Sequence, residues 1–129
     1  MTDQKKKNLV KAAIEAREAA FAPYSKFKVG AAILSEDGRV FLGCNIENSS
    51  YGATICAERN AVCHMVQAGS LQPIAIAICY SAEEFASPCG ICRQVLSEFN
   101  QDLIVLMAKL DGSYQETTLA RLLPGAFKL

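Results

Sequence analysis

The chain has 129 residues, 51% of them hydrophobic and 20% charged. At roughly 100–200 residues per domain this reads as one domain, residues 1–129, and the composition excludes a disordered polymer. Thirteen basic and thirteen acidic side chains cancel, which argues against holding nucleic acid by neutralising its phosphates.

Residues 4–20 place apolar side chains at Leu9, Val10, Ala13 and Ile14, followed by alanines. This is the stripe of an amphipathic helix, which Pro23 ends. Lys5, Lys6 and Lys7, the only basic run, read as the wet face of that helix rather than a binding patch. Residues 29–34 form a short apolar run that suits a buried strand. Asp37-Gly38 carries a hairpin signal, with residues 40–44 as the partner strand. A helix is predicted over 56–68, with Gly69 placed to terminate it. Residues 74–79 read as a second buried strand, 90–99 as a helix behind Pro88, and 103–107 as a strand. Asp111-Gly112 gives another hairpin signal before a strand over 114–117. Thr118 then caps a short last helix that ends before Pro124. The alternation in the middle predicts right-handed crossovers and parallel strands, and the hairpins predict antiparallel pairs at each end. The expected fold class is α/β, a three-layer α-β-α sandwich around a five-stranded mixed sheet.

No segment approaches the roughly 18–20 uninterrupted apolar residues of a membrane span. Residues 1–4 do not open the apolar stretch of a signal peptide. The expectation is a cytoplasmic protein that binds no membrane. In that reducing setting the six cysteines read as metal ligands, catalytic thiols or small core residues rather than disulfides.

Two segments stand apart, Thr54-Ile55-Cys56-Ala57-Glu58-Arg59 and Ser87-Pro88-Cys89-Gly90-Ile91-Cys92-Arg93. Each puts a cysteine at the predicted start of a helix, where unpaired N–H groups and positive potential favour thiolate. Cys89 and Cys92 lie about one turn apart and face the same way. Cys56 completes a set of three. Three protein ligands and one open position describe a catalytic zinc centre, whereas a structural one has four. Zinc lowers the pKa of its water towards neutrality. Glu58, on the same first turn as Cys56, can approach the metal without ligating it and act as general acid and base. This is the pattern of the zinc nucleobase deaminases in their three-cysteine form.

Other readings account for these residues less well. A redox Cys-x-x-Cys pair leaves the third cysteine and its glutamate unexplained. Cys63 lies too far along the helix from Cys56, about 10 Å, to share an ion whose bonds to sulfur are about 2.3 Å. Cys44, Cys63 and Cys79 are therefore expected in the core. His64, the only histidine, is expected as a helix-surface or interface residue. Three thiolates on Zn²⁺ leave a net negative charge, and Arg59 is placed to offset it through contacts to the sulfurs.

The sequence resembles the small, homotetrameric class of cytidine deaminases over nearly its whole length. Besides the two cysteine segments, the likeness rests on Phe21-Ala22-Pro23-Tyr24-Ser25-Lys26-Phe27, Gly43-Cys44-Asn45-Ile46-Glu47-Asn48 and Leu122-Leu123-Pro124-Gly125-Ala126-Phe127. The resemblance implies that Cys56, Cys89 and Cys92 hold one Zn²⁺ and that Glu58 shuttles protons. It implies that Asn45 and Glu47 bind the ribose hydroxyls, that Phe27 lines the pyrimidine pocket, and that the Ala57 N–H meets the base carbonyl. Tyr51 and Phe127 would reach a neighbouring subunit's site. The implied reaction is hydrolytic deamination of cytidine and 2′-deoxycytidine in pyrimidine salvage. A blasticidin-type small-molecule deaminase is the nearest rival, and it would not need Asn45 and Glu47. A non-catalytic zinc-binding module leaves Glu58 without a purpose. The absence of a Gly-rich phosphate loop predicts a free nucleoside rather than a nucleotide substrate. Composition points to an oligomer independently. A 129-residue monomer buries only about two-thirds of its unfolded surface, so a chain this apolar has surface left for a symmetric interface.

Overall fold

The computed structural model describes residues 1–129. Thr2 caps α1 (Asp3–Arg17), its hydroxyl oxygen accepting the Lys5 N–H at 3.2 Å. The helix stops at Arg17, short of the expected residue 20, although Ala19 and Ala20 favour helix. Tertiary pairing overrides that preference. The Phe21 N–H donates to the Asn45 carbonyl at 3.0 Å, and the Phe21 carbonyl accepts the Glu47 N–H at 2.8 Å. Lys6 pairs with Glu116 at 2.6 Å, while Lys5 and Lys7 are exposed.

Five strands follow, β1 (Gly30–Ser35), β2 (Val40–Cys44), β3 (Pro73–Cys79), β4 (Ile104–Ala108) and β5 (Tyr114–Thr118). Their order in the sheet is β2-β1-β3-β4-β5. The two predicted hairpins are present, with Gly38 (φ +88°) and Gly112 (φ +89°) in the left-handed conformation their turns require. The expectation of parallel strands in the middle holds only for β3–β4. β1 lies between β2 and β3 and is antiparallel to both. The chain leaving β2 therefore crosses β1 before pairing, which alternation along the sequence does not reveal.

This order has a functional result. β2, β3 and β4 run in one direction, so their carboxyl ends reach one edge of the sheet. α2 (Ala57–Gln67) follows β2 and α3 (Gly90–Ser97) follows β3, so both helices begin at that edge. In open α/β sheets this edge is where ligands bind.

Period-two alternation sorts the strand residues between two cores. Ala31, Ile33, Ile76, Ile78 and Val105 face one side with Ala57, Ala61, Val62 and Met65 of α2, Leu96 of α3 and Leu119 of α4 (Leu119–Leu122). Ala32, Ala75, Ala77, Cys79, Leu106 and Ala108 face the other side beneath Leu9, Val10 and Ala13 of α1. Both faces are covered, which explains the near-continuous apolar character of β1, β3 and β4.

Two glycines let helices touch strands backbone to backbone. A Cβ on Gly30 would lie 2.1 Å from the Ala13 carbonyl oxygen, and one on Gly43 would lie 2.2 Å from that of Ala57. α1 is thus seated on β1 and α2 on β2 with no side chain between them.

Of the three cysteines expected in the core, Cys79 is fully buried and Cys44 half-buried, but Cys63 is exposed. The inward stripe of α2 runs through Ala57, Ala61, Val62 and Met65, which turns Cys63 outward. His64 is exposed as expected, and its Nδ1 bonds the Leu42 carbonyl at 2.6 Å. No helix is long and apolar enough to cross a membrane.

Candidate active site

Cys56 and Cys89 are the N-caps of α2 and α3, each in extended conformation, so the free N–H groups of both first turns point to the same end of the sheet. Cys92 sits in the first turn of α3 and is fully buried. The three Sγ atoms lie within 4.8 Å of one another, with Cys56 and Cys89 4.0 Å apart. Two sulfurs on one tetrahedral zinc, at bonds of about 2.3 Å, stand about 3.8 Å apart. Both the spacing and the donor set fit that ion.

Electrostatics distinguish the sulfurs. The Cys56 thiol is pulled down to about 5 by its hydrogen bond with Cys92 and by Arg59. The Cys92 thiol is pushed up by the same bond with Cys56 and by burial. Arg59 faces this pair and favours the charged form of its sulfurs. Arg59 Nη2 lies 3.6 Å from Cys56 Sγ and donates to the Thr54 carbonyl at 3.2 Å, while its Nε is buried with no partner.

Glu58 is 5% exposed. Burial, with a smaller contribution from the Cys56 charge, pushes its carboxyl up to about 7. A group that exchanges a proton near neutrality suits general acid–base work. The cavity in front of it, about 230 Å³, is lined by Phe27, Val29, Asn45, Thr54, Cys56, Ala57, Glu58, Ile78, Tyr80, Ser87 and Cys89. Cysteines, carboxyl and apolar walls therefore converge on one space.

The seven residues singled out in the sequence for substrate or catalysis are distributed as follows. Phe27, Asn45, Ala57 and Glu58 line this cavity. Asn45 also frames it, since its Oδ1 accepts the Val29 N–H and its Nδ2 donates to the Phe27 carbonyl, both at 2.8 Å. Glu47 lies in an adjoining depression of about 260 Å³, lined by Tyr24, Ser25, Asn48, Tyr51 and Thr54 as well. Thr54 borders both spaces. The Glu47 carboxylate accepts the Ser25 hydroxyl and the N–H groups of Tyr24 (2.9 Å) and Ser25 (3.1 Å), which hold its pKa below the ordinary range. Tyr51 is 85% exposed on a single 3-10 turn, Tyr51–Ala53, and Phe127 is 70% exposed. Phe127 does not line the cavity of its own chain.

Two residues escaped the sequence reading. Tyr80 stands directly after β3, and its ring centroid lies 5.0 Å from that of Phe27. An aromatic at the carboxyl end of a buried strand was the available signal. Arg93 donates to the Pro88 carbonyl (2.8 Å), the Ser87 hydroxyl (2.9 Å) and the Leu122 carbonyl (2.8 Å). It ties the loop before Cys89 to the C-terminal segment, and only its three protein acceptors, one of them the distant Leu122 carbonyl, distinguish it from an ordinary helix charge.

Residues 3–108 match the model of the cytidine and deoxycytidylate deaminase zinc-binding region. A cytidine deaminase from Sporosarcina psychrophila is 53% identical over 114 residues, covering 88% of this chain and 84% of that one. A cytidine deaminase crystal structure from Burkholderia pseudomallei superposes with a TM-score of 0.90 at 45% identity, covering 98% of this chain and 100% of the other. The Mycobacterium tuberculosis cytidine deaminase structure gives 0.85 at 40% identity, with full coverage of both chains.

Proposed function

The chain belongs to the zinc-binding cytidine and deoxycytidylate deaminase family, and from that premise we propose that it hydrolyses cytidine and 2′-deoxycytidine to uridine and 2′-deoxyuridine with release of ammonia. The observation that carries this reading is Glu58, a carboxyl held at about 7 by burial in a cavity lined by Cys56 and Cys89, whose sulfurs cluster with that of Cys92. We assign the whole of residues 1–129 to one catalytic domain.

Cys56, Cys89 and Cys92 would hold the zinc, which supplies the Lewis acidity that makes water a nucleophile near neutral pH. Glu58 takes one proton from the attacking water and delivers it to N3, then takes the second from the new C4 hydroxyl and gives it to the departing amino group. A C4–O bond forms, the C4–N bond breaks, and ammonia leaves. The buried position of Glu58 keeps bulk water from competing for those protons. Arg59, 3.6 Å from Cys56 Sγ, offsets part of the thiolate charge.

The Ala57 N–H, free at the start of α2, is aimed for the base carbonyl, as helix N-termini receive partial negative charge. Phe27 gives the ring an apolar wall. Asn45 keeps amide hydrogen-bonding capacity beyond its two backbone bonds and, with Glu47, faces the ribose. Tyr51 and Phe127, large aromatics exposed on one chain, would complete the site of a neighbour in a homotetramer. Six free cysteines suit a reducing cytoplasm, and turnover of free nucleosides would suit a place in pyrimidine salvage.

The test is ammonia release from cytidine, deoxycytidine, cytosine, CMP and adenosine, with zinc measured on the same sample. Turnover of the two nucleosides above the other three supports the reading. Bound zinc with no turnover of any base would replace it with a non-catalytic zinc module, and faster turnover of CMP than of cytidine would remove the nucleoside preference.

A further inference from the structure

Tyr80 is the one cavity-lining aromatic to which nothing above gives a role. It is the next residue after Ile78 on the same face of β3, and it continues that face past the end of the strand. Ile78 is fully buried and Phe27 is half-exposed at the mouth. The Tyr80 ring, half-buried, bridges them, tilted 46° to Phe27 at 5.0 Å. Its backbone is fixed from behind, where Arg17 Nε at the end of α1 donates to the Tyr80 carbonyl at 2.9 Å. Its hydroxyl reaches the Phe85 carbonyl only at 3.4 Å. The ring is therefore held chiefly by packing and by its main chain.

The chemistry of cytosine orients the base in this space. N3 and C5 flank C4 on opposite sides of the ring. With C4 at the cysteines and N3 at Glu58, C5 is turned away from α2. The remaining apolar walls come from the segment around Phe27 and from the end of β3. The C5–C6 edge carries only C–H groups and makes no polar demand, which suits the aromatic rings of Phe27 and Tyr80.

Resting on the deaminase reading, we propose that Tyr80 is a specificity-determining residue: its ring, wedged against Phe27, bounds the space beside C5 of the pyrimidine and restricts substituents there. The residue takes no part in the proton transfers.

The experiment measures kcat/KM for cytidine and for 5-iodocytidine with the zinc-loaded wild-type protein and with Tyr80→Ala, Tyr80→Leu and Tyr80→Phe. The readout is the ratio of the two substrates within each variant, so a lower active fraction does not change it. Wild type should prefer cytidine. Tyr80→Ala should shift the ratio towards 5-iodocytidine by about 10-fold or more, the lower end of what one carbon group is worth in pocket discrimination. Tyr80→Phe should keep the wild-type ratio. If Tyr80→Ala does not fold, Tyr80→Leu, which preserves apolar packing with a narrower wall, should show a smaller shift in the same direction. A wild type indifferent to the iodine overturns the proposal, as does an unchanged ratio in the soluble truncation variants. A shift in Tyr80→Phe as large as in Tyr80→Ala also overturns it, because the hydroxyl would then be the determinant. Failure of the deaminase reading looks different, since wild type would turn over neither substrate.

Discussion

Helices α2 and α3 both open on a cysteine in extended conformation, Cys56 at φ −69°, ψ 153° and Cys89 at φ −67°, ψ 167°. Their first turns then diverge. α2 buries Ala57 and Glu58 completely or nearly so and turns Arg59 back onto Cys56 Sγ. α3 leaves Gly90 and Ile91 exposed, buries only Cys92, and sends Arg93 away from the sulfurs to three oxygens of the protein scaffold. The same local device, a cysteine at a helix start, thus serves two purposes. One turn builds a reactive environment around a proton carrier, and the other holds a ligand pair in place. The helix start supplies the position, and the neighbours of the cysteine decide the chemistry.

Removing a ligand should break both halves at once and have the largest effect. Cys89→Ala is expected to lose its zinc and fall to background turnover, because the metal is bound by the folded arrangement of all three sulfurs. Finding one zinc per chain, held as tightly as before, would take Cys89 out of the centre. Glu58→Gln separates the halves. Turnover should drop by about 10²–10⁴ while zinc content stays at the wild-type level. Near-normal turnover in that variant would show that α2 carries no proton carrier.

The two arginines sharpen the contrast further. Arg59→Ala should weaken zinc binding by about 10–100-fold in a chelator competition, the usual cost of losing a group that supports a metal ligand. Arg93→Ala should instead lower unfolding stability by about 1.5–3 kcal/mol in denaturant titration, the worth of a hydrogen bond to a charged group. Equal chelator sensitivity in the two variants would erase the distinction between reactive and scaffold turns. The smallest effect expected is that of Phe127→Ala. Nucleoside affinity should fall by about 1–3 kcal/mol, the value of one base-stacking contact, with zinc content unchanged. An active monomer in sedimentation would refute the shared site, and an oligomer of unaltered affinity would confine Phe127 to assembly.

Much of this arrangement could be read from the residues. The Asp-Gly turns marked both hairpins because the left-handed turn conformation has a residue signature. The spacing of Cys89 and Cys92 put them on one helical face, and Glu58 followed Cys56 into the same turn. What escaped depends on pairing between distant segments. The insertion of β1 between β2 and β3 leaves no trace in element order. The early end of α1 is set by Phe21 bonding to residues 45 and 47. Cys63 looked like a small apolar residue in a buried helix, and one step in helical phase exposes it. Tyr80 gained a role only when the fold placed it beside Phe27, and Glu47 proved to sit in a depression next to the cavity rather than in it.

The bare backbone contacts at Gly30 and Gly43 bear on how this gene can vary. Every single-nucleotide missense change of a glycine codon introduces a residue with a Cβ, and at both positions that carbon would fall inside van der Waals contact with a helix carbonyl. Neither codon has a mild neighbour. At most surface positions the code offers several tolerable one-step substitutions, but here each step pushes a helix off its strand. At Gly43 the displaced helix is the one whose first turn carries Cys56, Glu58 and Arg59. A saturation library of the gene should therefore show both positions emptied of all alternatives, the loss at Gly43 appearing in activity as well as in folding.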